Sequence, residues 1–203
     1  MKYLGIDIGG TSVKLGLVTD KGKILASDNY EVAFDNYKTP IFETVKKSIE
    51  RFLKDNSINK NELMGIGVSA TGQVNSNTGV IVGVGGNIKN WCNTEIKKEL
   101  EEIYNLKTTV INDANSMVIG EQWIGKAKNY KNIIGITIGT GVGGGIIVNS
   151  NVLLGNIGIA GELGHFSINS NGKVCTCGNI GCYEQYSPKH RNYCISRTDL
   201  PFV

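Results

Sequence analysis

The sequence predicts an α/β protein of two lobes, in which a βββαβα plan is laid down once and then begun again. Three observations predict it: short antiparallel strand runs near the N-terminus, strands alternating with amphipathic helices after them, and a strand, glycine turn and strand that recur from Ile133. Leu4 to Val18 can be laid over Ile134 to Val148 without a gap, a constant offset of 130 residues. Gly5, Ile6, Ile8, Gly9 and Val18 then meet identical residues. An internal duplication accounts for the match, although any two glycine-punctuated hairpins resemble one another.

Tyr3 to Ile8 and Val13 to Val18 are β-rich runs, and the Asp20–Lys21–Gly22–Lys23 turn leads to a third run from Ile24. Connections this short make the three strands antiparallel. Thr39 and Pro40 form an N-cap followed by proline at the first helical position, and Ile41, Val45, Ile49, Phe52 and Leu53 then line one face of a helix. Met64 to Ser69 reads as a buried strand, Thr94 to Tyr104 as a helix, Thr108 to Ile111 as a strand and Ala114 to Ile124 as a helix.

Composition narrows the function. Of the 203 residues 40% are hydrophobic and 19% charged, which argues against a disordered or fibrous chain. The 21 basic and 18 acidic residues are scattered and leave a net charge of only +3, so no nucleic-acid surface is expected. The apolar run at Met1 to Ile6 is too short, and too soon interrupted by Asp7, for a signal peptide or a membrane span; the expected location is cytoplasmic. In that compartment the five cysteines are expected to be thiols or metal ligands. The 27 glycines against 3 prolines call for backbone-lined loops.

Two such loops stand out. In Asp7–Ile8–Gly9–Gly10–Thr11 a carboxylate at a strand end suits a magnesium ion held through water, while Gly9, Gly10 and Thr11 can meet phosphate; Lys14 follows closely. The second loop, Gly139–Thr140–Gly141–Val142–Gly143–Gly144–Gly145, has five glycines in seven positions and fits either phosphate binding or a pliable hairpin. Neither loop has the Gly-Lys-Ser/Thr of a Walker motif or dinucleotide spacing within a βαβ unit. A duplicated actin-like (ribonuclease H-like) ATPase fold, with a triphosphate gripped from both lobes, meets the requirement.

Asn112–Asp113–Ala114–Asn115 falls where a strand passes into a helix, where open α/β sheets commonly place ligand groups. Asp113 there is equally a general base, taking the proton of a sugar hydroxyl during phosphoryl transfer, or a helix cap. His165, Cys175, Cys177 and Cys182 form a tetrahedral zinc set, structural because no position stays open; a disulfide or unliganded thiols are the alternatives. Glu162 and Glu184 flank these ligands, and carboxylates accept hydrogen bonds from vicinal hydroxyls. Asn87 to Trp91 could line a sugar pocket, though a lone Trp also suits a core; Cys92 and Cys194 are ordinary residues.

Taken in order, Asp7–Thr11, Asn112–Asp113, Gly139–Gly145, Glu162–Leu163–Gly164–His165 and Cys175-x-Cys177-Gly178-x-x-Gly181-Cys182-x-Glu184 resemble the ROK family of bacterial sugar kinases and repressors over residues 1 to about 186. The resemblance implies transfer of the ATP γ-phosphoryl group to a hexose or amino-sugar hydroxyl, usually on carbon 6, with Mg2+ and a structural Zn2+. It implies Asp113 as base, Asn112, Glu162, His165 and Glu184 on the sugar, and Asp7, Gly9, Gly10, Thr11, Gly139, Thr140, Gly141 and Gly143 around the nucleotide. His165 would use one ring nitrogen for the sugar and the other for zinc. It also suggests a homodimer.

Family repressors carry a helix-turn-helix ahead of the first glycine turn, which this chain reaches by Gly9, so the kinase branch is the expectation and a regulator, or a catalytically impaired sugar-binding remnant, the alternative. The expected domains are an N-terminal lobe at 1–114, a partial C-terminal lobe with the zinc loop at 115–186, and a non-family tail at 187–203. No helical periodicity is found from Pro188, so a truncated or frameshifted end is expected.

Overall fold

The computed structural model describes residues 1–187 except 33, 34, 36, 85–87 and 140. The chain divides into two compact units, a first spanning Met1–Asp113 and a second beginning at Ala114.

In the first unit β1 (Lys2–Ile8), β2 (Ser12–Thr19) and β3 (Ile24–Glu31) form an antiparallel meander. Alternation decides which face is covered: Leu4, Ile6 and Ile8 of β1 and Val13, Leu15 and Leu17 of β2 are buried. α1 (Ile41–Asp55) packs Ile41, Phe42, Val45, Ile49 and Phe52 into the same core, each worth about 1.5–3 kcal/mol of apolar burial. The expected Thr39 cap is corrected. Pro40 occupies the N-cap position with no side-chain bond, because the Thr39 hydroxyl and N–H both donate to Asp35 Oδ2, at 2.6 and 2.9 Å.

After α1 come β4 (Leu63–Ala70), a small hairpin of β5 (Gln73–Asn75) and β6 (Val80–Gly83), then α2 (Ile96–Tyr104) and β7 (Thr108–Asn112). The hairpin is an addition to the expected βββαβα plan. Its three- and four-residue strands are too short for their alternation to stand out. The main sheet runs β3-β2-β1-β4-β7, with β4 parallel to both β1 and β7. Register aligns Ile8 with Ala70 and Ala70 with Asn112, so the carboxyl ends of β1, β4 and β7 lie side by side.

The second unit opens in α3 (Asp113–Trp123), whose first residue closes the first unit, and continues with β8 (Ile133–Ile138), β9 (Val142–Val148) and β10 (Asn151–Val152) in a sheet ordered β10-β9-β8. The hairpin foreseen by duplication is present with its register moved by one residue: Ile8 pairs with Val13, but Ile138 pairs with Val142 rather than with Gly143. The two hairpins also face their surroundings differently. Leu4 is 0% exposed and its sequence equivalent Ile134 is 52% exposed. Val118, Ile133 and Ile147 form this unit's buried cluster with Ala127.

Two 3-10 turns, Leu163–His165 and Tyr183–Tyr186, lie in the remaining chain. All of the expected tail at 187–203 but Ser187, including Cys194, lies outside the described residues, as do Asn87 and Thr140. Among the described residues no helix is long and apolar enough to cross a membrane.

Candidate functional site

In the first unit the site residues sit at the aligned carboxyl ends of the parallel strands, where open α/β sheets take their ligands. Asp7 is the penultimate residue of β1. Its Oδ1 accepts from Ser69 Oγ at 2.9 Å and its Oδ2 pairs with Lys14 Nζ at 3.3 Å, so the carboxylate is steered from both neighbouring strands. The turn that follows is closed by Gly9 N–H donating to the Ser12 carbonyl at 2.9 Å, while Tyr37 donates from its hydroxyl to the Gly10 carbonyl at 2.9 Å. A Cβ on Gly10 would come within 3.0 Å of Ile88 Cδ1, which keeps bulk off the turn at Gly10 and Thr11.

Two strands away, Asn112 ends β7 and Asp113 is the first residue of α3. Asn112 Nδ2 donates to Asp113 Oδ1 at 3.0 Å and to the Gly72 carbonyl at 2.9 Å. Trp91, weighed as a pocket residue or a core residue, is core: it is fully buried with its indole N–H on the Thr71 carbonyl at 2.9 Å.

In the second unit the glycine run divides into two jobs. Between β8 and β9 the Gly139 N–H donates to the Gly141 carbonyl at 2.9 Å. Gly143, Gly144 and Gly145 lie in β9, so the expected seven-residue loop is corrected: from Val142 onward it is strand. Side chains there would collide: a Cβ on Gly143 would lie 2.6 Å from Thr137 Oγ1, one on Gly144 2.5 Å from the Gly161 carbonyl and one on Gly145 2.6 Å from Val118. Those glycines let α3 and the segment before Glu162 approach the strand. A Cβ on Gly141 would lie 2.9 Å from Glu184 Oε2, so the turn abuts that carboxylate.

The four expected metal ligands converge. The donor atoms of His165, Cys175, Cys177 and Cys182 all lie within 4.8 Å of one another. Cys177 and Cys182 sulfurs are 3.6 Å apart, and Cys175 Sγ is 3.6 Å from His165 Nδ1. Zinc at about 2.3 Å from each sulfur in a tetrahedron separates its ligands by roughly 3.7 Å, so the set fits that ion. Cys175 and Cys182 are buried and Cys177 is exposed. Burial pushes the Cys182 thiol up to about 12, whereas the Asn179 backbone N–H beside Cys177 holds that thiol below its usual range.

Around the cluster, Cys182 Sγ donates to the His165 carbonyl at 3.3 Å and Cys175 Sγ to Glu184 Oε1 at 3.2 Å. His165 Nδ1 lies 3.6 Å from Glu184 Oε1, and Nε2 lies 4.0 Å from Glu162 Oε2. The ring thus faces the thiols with one nitrogen and Glu162 with the other. Sequence reasoning missed Ser69, Tyr37, Thr71, Gly72 and Gln185, whose Nε2 reaches Cys175 Sγ at 3.5 Å. Register puts Ser69 beside Asp7, a relation with no short-range signal.

The ROK family model matches residues 3–189. A glucokinase of Halalkalibacterium halodurans is 38% identical over 188 residues, covering 90% of this chain and 55% of that protein. The xylose repressor of Bacillus subtilis is 32% identical over 91% of this chain and 47% of its own length. Among solved structures, a ROK family glucokinase from Streptomyces griseus in complex with glucose and AMPPNP superposes with a TM-score of 0.78 at 30% identity, over 92% of this chain and 57% of that one. The chain spans about half the length of the curated relatives it matches.

Proposed function

Because the chain belongs to the ROK family, with the actin-like α/β fold of its kinases, we propose that it carries the phosphate turns, catalytic carboxylate and sugar-contacting loop of an ATP-dependent hexose kinase. The observation that carries the reading is the register of β1, β4 and β7, which sets the Asp7–Thr11 turn and the Asn112–Asp113 pair on strand ends of one sheet. Asp113 takes the proton of the attacking sugar hydroxyl as the γ-phosphoryl group moves to that oxygen and ADP leaves. Asp7 holds magnesium by way of water, the backbone of Gly9, Gly10 and Thr11 meets phosphate oxygens, and Gly139, Thr140, Gly141 and Gly143 are the second unit's candidates for the same role.

Glu162 and Glu184 accept from vicinal hydroxyls of the sugar, and Asn112 and His165 Nε2 complete its contacts. Zinc, when held by His165 Nδ1, Cys175, Cys177 and Cys182, orders this loop and does not activate water. Location in the cytoplasm, a homodimer and lobes divided near residue 114 belong to the same reading.

A sugar-binding regulator is the second reading, favoured by the repressor relative at 32% identity. A coupled ADP-release assay with ATP and a panel of hexoses and amino sugars separates the two. Sugar-dependent ADP release supports the kinase; sugar binding without release overturns it and leaves the regulator and a catalytically impaired sugar-binding remnant.

A further inference from the structure

Thr71 and Gly72 link β4 to β5 and are tied to three other parts of the first unit at once. The Thr71 N–H donates to the Ile8 carbonyl at 2.9 Å, at the end of β1 where the first glycine turn begins. The Trp91 indole N–H donates to the Thr71 carbonyl at 2.9 Å from a fully buried ring, which gives the turn a rigid support. Asn112 Nδ2 directs one hydrogen to the Gly72 carbonyl and the other to Asp113 Oδ1, at 2.9 and 3.0 Å. The order Trp91, Thr71–Gly72, Asn112, Asp113 is thus one unbroken chain of hydrogen bonds.

An amide held at both hydrogens is fixed in plane and direction, and the carboxylate bonded to it loses rotation about its own side-chain torsions. The Nδ2 group of Asn112 is thereby engaged by the protein rather than by a sugar hydroxyl. Gly72 has no room to be anything else: its φ is +94°, and a Cβ would lie 2.7 Å from the Gly83 carbonyl oxygen. Any side chain moves the turn, and with it the Gly72 carbonyl that aims the amide.

The geometry points to the Thr71–Gly72 turn as the positioning element for the base: acting through Asn112, it sets the direction of the Asp113 carboxylate relative to the Asp7–Thr11 turn. The inference rests on the kinase reading above and adds to it a device that none of the motif residues supplies. Thr71 and Gly72 are positioning residues, since they act on Asp113 through Asn112.

Gly72→Ala and Trp91→Phe test it, the second removing the indole donor while keeping an aromatic ring in the core. For each purified variant kcat and KM are measured with ATP and D-glucose, together with the glucose Kd by calorimetry and the melting temperature. A misaimed base lowers kcat at least tenfold and leaves the glucose Kd within about threefold, because a small misplacement costs the chemical step far more than ground-state binding. An unchanged kcat in either folded variant overturns the inference, as does a loss of glucose affinity that matches the loss of rate. A parent chain with no turnover removes the kinase reading and this role together; a parent and variants with equal turnover remove only the positioning role.

Discussion

His165 Nδ1 lies 3.6 Å from Cys175 Sγ, so the residue proposed to meet the sugar also belongs to the thiol cluster. Its other ring nitrogen faces Glu162 at 4.0 Å. A metal that fixes Nδ1 therefore fixes the direction of Nε2, and removal of the metal releases both.

About one zinc per chain is expected by elemental analysis, because four ligand atoms lie within one tetrahedral span. Chelation with 1,10-phenanthroline should lower the melting temperature and weaken glucose binding by about 10–100-fold, read by calorimetry before and after metal return. Metal-free protein that binds glucose equally well contradicts the coupling.

Asp113→Asn should retain glucose binding while kcat falls by about 10²–10⁴-fold, the usual contribution of a positioned general base. The check is steady-state kinetics beside a calorimetric Kd. Full turnover in the variant assigns the proton to another group.

Gly164→Ala should destabilise the second unit by about 1–3 kcal/mol. A methyl group at this buried glycine would run into the Val142 carbonyl and push the Leu163–His165 turn off β9. Urea titration reads the loss, and a variant as stable as the parent means the turn is not packed there.

Leu4→Ala and Ile134→Ala should differ although the two positions match in the duplicated sequence. The first removes a fully buried side chain and should cost about 2–5 kcal/mol. The second removes a half-exposed one and should cost less than about 1 kcal/mol. Equal losses would mean that both hairpins bury the same face.

Most of the first unit was legible because its signals are local. Alternation in Leu4–Ile6–Ile8 and the 3.6-residue spacing of Ile41–Val45–Ile49–Phe52 each lie within one element, and the strand-to-helix passage at Asn112–Asp113 joins two adjacent ones. The metal cluster was legible for a related reason: Cys175, Cys177 and Cys182 are near in sequence, and only His165 had to be brought to them.

What escaped was set by neighbouring strands. Ser69 reaches Asp7 through parallel register, Asn112 reaches Gly72 across the end of the sheet, and neither relation leaves a trace in spacing. The glycine run was overread as one loop because phosphate turns and close strand packing ask for the same residue. The close neighbours of Gly143 to Gly145, among them Thr137, Ala114, Gly161 and Val118, distinguish the two uses. The one-residue change of register between the hairpins was invisible for the same reason, since the aligned sequences match whichever way the strands pair.

The most direct measurement is ³¹P NMR of the chain incubated with ATP, magnesium and D-glucose, D-mannose or N-acetyl-D-mannosamine. The account predicts a sugar 6-phosphate resonance growing in step with ADP, absent without sugar and nearly absent with Asp113→Asn. No sugar phosphate from any of the three, in protein shown by calorimetry to bind sugar and nucleotide, would contradict it.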